Sequence, residues 1–355
     1  MSFLKLLYWL GPWTDQQRSP IGTERQRTLY RSRNNDHPLW VYRGHSSSYP
    51  LYLIPGIQHQ GPDDPRLDRF ARVLAHAGYV VGVPALPTMI ELRMEPELLE
   101  DVYQSFLHFS NSCSGKVAVF SISASSIAGL QLGARTESAG RISQMMLFGG
   151  YSDWVEALTF AVDGHIDSQI KLKIDPLNLP VVMLNLIEAI SVSEDDRKTL
   201  HQAWHRYVCE VWENPQYAQR SAYQPVAEQI ALSLPSDLRA LFLQGCSVRP
   251  GGAEWAKSLI LNCSKDTAWL DPLPALKQVN CPLHVAHGRE DVVVPYTHAE
   301  VLVSHQPKAH IYVTGLAHHA GVHRFSHYIG QIPTLVLELV KGVRLLRAIS
   351  QLWRH

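Results

Sequence analysis

The first 150 residues alternate between short apolar runs and segments whose apolar residues recur at helical spacing. Four runs predict buried strands: YPLYLIPG, YVVGVP, KVAVFSI and ISQMMLFGG. Between the first two, PRLDRFARVLAHAGY places five apolar residues on one helical face, namely Leu67, Phe70, Val73, Leu74 and Ala77. Strand and helix alternating at this spacing predict right-handed crossovers and a mainly parallel sheet that is buried on both faces.

Two further segments precede this alternation and differ from it. RTLYRSR and PLWVYRG flank the turn signal Asn34-Asn35-Asp36 and predict two antiparallel strands. The sheet is therefore expected to begin with an antiparallel pair.

The alternation stops between about residues 151 and 270, where helical patterns follow one another without a convincing strand. It returns with CPLHVAHG and AHIYVTG. Because the strands on either side need each other to complete one sheet, we expect an α/β core formed by residues 1–150 and 271–355, with residues 151–270 as an inserted helical cap.

Charge and cysteine content narrow the class of protein. Lys plus Arg equal Asp plus Glu at 32 each, so no overall basic field favours a nucleic acid, and none is expected as a partner. The five cysteines are odd in number and contain no C-x-x-C pair, which argues against a disulfide framework or a zinc knuckle. These features favour a cytoplasmic protein.

Both ends of the chain are apolar. The segment MSFLKLLYWLGPW lacks a cleavage pattern and is shorter than the roughly 20 residues that span a bilayer. A helix docked on the protein's own core is favoured over an interfacial anchor, although weak membrane association through this segment stays open. The segment LVLELVKGVRLLRAISQLWRH predicts a packed final helix.

Three chemically active side chains directly follow predicted strands. Ser123 follows KVAVFSI, Asp291 follows LHVAHG, and His318 follows IYVTG. Ligands of parallel sheets bind beyond the carboxyl ends of the strands, so these positions would share one site. A serine at the start of a helix also serves as an N-cap, which is the structural alternative for Ser123.

The order serine, acid, histidine in this context resembles the α/β-hydrolase superfamily. In place of the family's Gly-x-Ser-x-Gly the chain has Ser121 and Ser125 on either side of Ser123. HGREDVVVP matches the family's acid motif at Asp291, and TGLAHHAG matches its Gly-x-x-His motif at His318. His319 competes for the role of His318, and Asp153, after the preceding strand, competes for the role of Asp291.

The resemblance also implies an oxyanion hole, formed by the backbone N–H groups of Ile57 and Ala124. The family's His-Gly before the first of these loops is Pro55-Gly56 in this chain. Two such donors commonly contribute about 3 kcal/mol each to stabilisation of the transition state.

A second pair of residues has the spacing of a metal site. His201 and His205 in HQAWH stand at i and i+4 and could hold zinc, but Gln202 occupies the place where a zinc protease has its glutamate base. In the loop before Pro65, Asp63 and Asp64 are better explained as caps of the following helix, and His59 has no assigned chemistry.

The resemblance implies a serine hydrolase that cleaves a carboxylic ester through an acyl-enzyme on Ser123 and needs no metal or organic cofactor. The expected partner is a hydrophobic small-molecule acyl substrate, its chain selected by cap residues such as Trp204 or Trp212. Two alternatives stay open: a non-catalytic binding protein of the same fold, and an acyltransferase or thioesterase.

Overall fold

The computed structural model describes residues 3–166, 170–212, 214, 220–262, 267–319, 321–322 and 332–353. Its centre is a sheet of eight strands in the order β1-β2-β4-β3-β5-β6-β7-β8. A separate pair, β9 and β10, follows the last of them. The strands are β1 (Thr23–Ser32), β2 (Asn35–Gly44), β3 (Tyr49–Ile54), β4 (Tyr79–Pro84), β5 (Val117–Ile122), β6 (Ile142–Phe148), β7 (Leu283–Gly288), β8 (His310–Thr314), β9 (Ala317–His318) and β10 (Gly321–Val322).

The sheet is parallel from β4 to β8, and β2 runs antiparallel to both of its neighbours. The predicted antiparallel start and the predicted parallel remainder are therefore confirmed. The turn between β1 and β2 lies at Arg33 and Asn34, whose φ angles are 50° and 65°. Ser32 already pairs with Asn35, so the turn begins one residue earlier than the sequence signal suggested.

Helices occupy both faces of the sheet and the long segment between β6 and β7. They are α1 (Phe3–Leu10), α2 (Pro65–Ala77), α3 (Pro87–Ile90), α4 (Glu97–Asn111), α5 (Ser126–Ala134), α6 (Thr136–Ala139), α7 (Trp154–Asp163), α8 (Asn178–Asn185), α9 (Glu194–Val211), α10 (Arg220–Leu232), α11 (Ser236–Gly245), α12 (Gly252–Leu261), α13 (Leu273–Leu276), α14 (Thr297–His305) and α15 (Ile332–Ile349).

Alternating strand residues divide the core between the two faces. In β5, Val117 and Val119 pack with α4, α5 and α14, whereas Ala118 and Phe120 pack with α1, α2 and α15. Both sets are almost completely buried, as the apolar run of the sequence predicts. The fold is therefore a mostly parallel α/β sheet with helices on both sides.

The start of α2 shows how the sequence sets an element boundary. The side chain of Asp64 accepts hydrogen bonds from the N–H groups of Arg66 and Leu67 at 2.9 and 3.0 Å, and Pro65 takes the first helical position. Gly78 ends the helix with a φ of 119°. The capping role predicted for Asp64 is confirmed, whereas the one predicted for Asp63 is wrong, because its carboxylate forms an ion pair with Arg25.

Both terminal helices pack on the core, as the sequence predicts. Leu6 of α1 is fully buried, and Lys5 Nζ donates to the carbonyl of His76 over 2.9 Å. On α15, the carbonyl of Ile349 accepts the hydroxyl of Tyr79 over 2.6 Å. None of the helices in the described ranges combines the length with the apolar character that crossing a membrane requires.

The segment between β6 and β7, called here the helical segment, contains α7 to α13, of which α7 to α12 contribute to a second hydrophobic core. Among its described residues the one β-type pairing is a bridge between His165 and Lys171. Trp204 lies fully buried in this helical core, where its Nε1 donates to the carbonyl of Phe242 over 3.1 Å. The prediction that Trp204 lines the substrate cleft is therefore wrong, because its indole packs among these helices and connects two of them. The division into core and cap domains stays a prediction.

Candidate active site

Ser123 occupies a strained turn at the carboxyl end of β5. A 3-10 turn over Ser123–Ser125 joins this strand to α5, and Ser123 has a φ of 58°. A non-glycine residue in the left-handed region costs on the order of 1–3 kcal/mol and clusters at functional sites. A simple N-cap takes an extended conformation, so capping alone does not account for this backbone.

The serines on either side of Ser123 have different surroundings. Ser125 Oγ accepts the N–H of Ile122 over 3.1 Å and lies 3.2 Å from the carbonyl oxygen of Ile54. This hydroxyl connects the turn to the end of β3, a contact that a glycine could not make. Ser121 Oγ is fully buried and has no hydrogen-bond partner among the described residues.

The loop after β3 lies directly against the turn. A Cβ on Gly56 would meet the carbonyl oxygen of Ile122 at 3.1 Å and Ser123 Cβ at 3.2 Å. Only a residue without a side chain fits comfortably at this distance. Gly56 therefore brings Ile57 beside Ser123, and both line the same cavity as Ala124.

Asp291 lies in the turn after β7 and is 1% exposed. Its Oδ1 accepts the N–H groups of Val293 and Val294 at 2.8 and 2.9 Å, and its Oδ2 faces two histidines. Burial opposes ionisation, but the charge of His319 and hydrogen bonds from His287 and His319 hold the pKa of Asp291 well below its usual range. The carboxylate is therefore ionised throughout the physiological range.

His319 is the histidine that pairs with this carboxylate. Its Nδ1 lies 2.8 Å from Asp291 Oδ2, and its side chain is 19% exposed. His318 belongs to β9, and its side chain lies outside the described residues. The spacing argument favoured His318, whereas the observed geometry favours His319.

The loop that carries His319 is held by α15. Glu338 accepts the hydroxyl of Thr314 over 3.1 Å and the N–H of Gly315 over 2.5 Å, both at the end of β8. Lys341 donates to the same carboxylate over 2.7 Å. Burial opposes its ionisation, yet the hydrogen bonds from Lys341 and Gly315 lower the pKa of Glu338 overall. Sequence analysis missed this residue, because one glutamate in an amphipathic helix carries no local signal.

His287 is a second residue with an unpredicted contact. This residue is the histidine of the segment HGREDVVVP. It is fully buried, with its Nε2 2.9 Å from the carbonyl oxygen of Val294 and 3.4 Å from Asp291 Oδ2. It therefore packs behind the Asp291 carboxylate, on the turn that Asp291 itself closes.

The competing acid has a structural role. Asp153 is exposed, and its side chain accepts the N–H of Glu156 over 2.8 Å, which makes it the N-cap of α7. The neighbouring Ser152 forms a hydrogen bond of 2.7 Å with Nδ1 of the buried His298.

The histidines considered for zinc are a separate feature on α9. The rings of His201 and His205 stack with centroids 6.2 Å apart, and His205 Nε2 lies 3.3 Å from the carbonyl oxygen of Ile90. In the described part of the chain, no group of three or more His, Cys, Asp or Glu side chains is placed to hold a metal ion.

A cavity of about 370 Å³ joins the separate parts of the site. Ser123 and His319 line it together with Ile57 and Ala124, and Trp212 reaches it from the helical segment. Its volume is typical of small-molecule sites. Serine, histidine and oxyanion candidates thus face one shared space, with Asp291 behind the histidine.

Comparison with known proteins gives similarities of structure only. No family model matches the chain, and no curated protein matches it in sequence. A Pyrococcus horikoshii acylaminoacyl peptidase is 12% identical with a TM-score of 0.48 over 93% of this chain and 41% of that protein. A Pyrococcus furiosus esterase is 11% identical with a TM-score of 0.47 over 95% of each chain. A Pyrobaculum calidifontis esterase is 14% identical with a TM-score of 0.47 over 95% of this chain and 88% of its own. This chain thus spans about two fifths of the peptidase.

Proposed function

We propose that this chain, which has the α/β-hydrolase fold, is a serine hydrolase that cleaves a carboxylic ester through an acyl-enzyme on Ser123. The observation that carries the proposal is the positive φ of Ser123, 58°, at a turn whose cavity also contains His319. Strain of this kind persists only where the surroundings enforce it, and Ser123 lines the cavity at this turn.

In this proposal His319 is the general base. The hydrogen bond from Nδ1 to Asp291 selects the tautomer whose lone pair is on Nε2. His319 takes the proton of Ser123 as the hydroxyl attacks the ester carbonyl, and Asp291 stabilises the imidazolium that forms. The N–H groups of Ile57 and Ala124 are the proposed donors to the oxyanion.

Collapse of the tetrahedral intermediate breaks the bond between the carbonyl carbon and the alkoxy oxygen. The alcohol leaves with the proton held by His319, and the acyl group stays on Ser123. Water then attacks this ester, again giving its proton to His319, and the second collapse releases the carboxylic acid and restores Ser123.

The test is covalent labelling by a small fluorophosphonate, followed by identification of the modified residue. We expect labelling at Ser123, loss of labelling and of p-nitrophenyl butyrate hydrolysis in Ser123→Ala, and retention of both in Ser121→Ala. Ser121 is a matched control because it is buried two residues away and its hydroxyl has no partner in the described structure. A folded Ser123→Ala protein that still hydrolyses the ester would contradict the proposal.

A further inference from the structure

Two groups of helices line the cavity at Ser123. Residues of α7 and α8 line it from the helical segment, and side chains of α1, α2, α15 and the ends of β5 and β6 line it as well. The apolar members of this second lining, called here the terminal-helix arm, are Leu7, Leu10, Phe70, Phe148, Leu346 and Ile349. The sequence predicted substrate selection by the helical insertion, so a contribution from α1, α2 and α15 is unexpected.

Polar side chains that reach the cavity already have protein partners. Asn185 donates to the carbonyls of Leu92 and Val181, both at 2.9 Å, and accepts the N–H of Met94 over 2.8 Å. Arg69 donates to the carbonyls of Arg18 and Trp9 at 2.8 and 2.7 Å. A ligand in the arm would therefore meet mainly apolar surface, which suits a hydrocarbon better than a peptide or a sugar.

The far part of the arm reaches the protein surface. Trp13, in the loop after α1, is 49% exposed, and Val343, on α15, is 38% exposed, yet both line the cavity. An alkyl chain longer than the arm is therefore expected to reach solvent beside these two residues.

We infer that the terminal-helix arm holds the long alkyl chain of the ester substrate, so that α1 and α15 set chain-length selectivity. This rests on the proposed function, since it assigns the substrate class of the same site. The arm belongs to the same cavity as Ser123 and is lined by apolar side chains. We therefore expect it to hold the hydrocarbon part of the substrate. This alkyl chain belongs either to the acyl half or to the alcohol half of the ester, and both halves would present the same hydrocarbon to the arm.

Two ester series test the inference: p-nitrophenyl esters from butyrate to palmitate, and alkyl acetates of increasing chain length. In the series whose chain enters the arm, kcat/KM should rise about fourfold per methylene buried. Leu346→Trp fills the arm, and Val343→Trp fills its partly exposed end. Each should lower the ratio of long-chain to short-chain kcat/KM about tenfold or more.

Leu337→Trp is the matched control, because Leu337 lies on the same helix, is 55% exposed and points away from the core. It should leave both short-chain and long-chain rates within about twofold of the parent protein. Val181→Trp places the same bulk on the cavity wall formed by the helical segment. Loss of long-chain preference in Val181→Trp with an unchanged ratio in Leu346→Trp and Val343→Trp would overturn the inference.

These experiments distinguish failure of the proposed function from failure of the inference about the terminal-helix arm. If the parent protein neither hydrolyses p-nitrophenyl butyrate nor reacts with fluorophosphonate, the proposed function itself fails. If it hydrolyses short esters but its rates are flat with chain length in both series, only the assignment of the arm fails.

Discussion

His319 donates its Nδ1–H to Asp291 Oδ2 over 2.8 Å, and the other oxygen of the same carboxylate accepts two backbone N–H groups. The carboxylate is thus held in place by its own turn, independently of the histidine. This arrangement orients the ring of His319 and supports the proposal that His319 is the base.

The first prediction concerns this pair of neighbouring histidines. His319→Ala should lower kcat for p-nitrophenyl butyrate by about four orders of magnitude or more, because the base is removed. His318→Ala is the matched control and should retain activity of the order of the parent protein. Steady-state kinetics of the two purified variants decides between them, and the reverse result would return the role of base to His318.

The second prediction concerns the acid. Asp291→Asn should lower kcat about 10⁴-fold, because an amide favours the wrong tautomer of His319. Asp153→Asn should leave kcat within about threefold, because asparagine caps a helix as well as aspartate does. If Asp153→Asn were the damaging change and Asp291→Asn were active, the acid would have to be reassigned.

Patterns that repeat along the chain were sufficient to predict the fold. The apolar run of β5 and the face of α2 defined by Leu67, Val73 and Leu74 are buried as the spacing requires. Asp64 and Gly78 marked the ends of α2, since their side chain and backbone preferences act locally. Such features depend on residues that are close together in the sequence, so one sequence is enough to predict them.

Only the parts of the site that depend on such local signals were predicted from the sequence. Ser123 and Asp291 follow strands, so their common edge was predictable. The choice between His318 and His319 depends on how the β8–β9 turn is anchored by Glu338, which is 24 residues from Thr314 in sequence. Trp204 shows the same limit, because nothing in its own helix tells whether an indole faces a cleft or the carbonyl of Phe242.

The third prediction tests the close approach of the β3 loop to Ser123. Gly56→Ala adds a Cβ about 3.1–3.2 Å from Ile122 O and Ser123 Cβ, so this loop or the turn must shift. We expect kcat/KM to fall about 10–100-fold, as misplacement near the chemistry does. Gly140→Ala is the matched control, because no heavy atom beyond those of residue 140 and its two chain neighbours lies within 4 Å of the added carbon. Equal activity of the two variants would show that this contact does not position the site.

The fourth prediction concerns the pH dependence of stability. Burial, and to a lesser extent the nearby charge of His287, lower the pKa of His298 to about 4, although Asp153 and Asp291 act in the opposite direction. The unfolded chain binds this proton near pH 6.5. The contribution of neutral, buried His298 to the free energy of unfolding is therefore complete above about pH 6.5. It is lost progressively as the pH falls towards 4.

Measurement of this effect requires a variant in which the titrating group is absent. We expect the free energy of unfolding, measured with urea between pH 4.5 and 7, to fall less steeply with decreasing pH in His298→Gln than in the parent protein. The difference in slope should approach one proton, or about 1.4 kcal/mol per pH unit, between pH 5 and 6. His284, whose pKa burial also lowers to about 4, still titrates in that variant, so some slope should remain. His108→Gln, at an exposed position of α4, is the matched control for the replacement of a histidine by glutamine. Parallel curves for the parent and His298→Gln would show that His298 takes up its proton equally in the folded and unfolded chain.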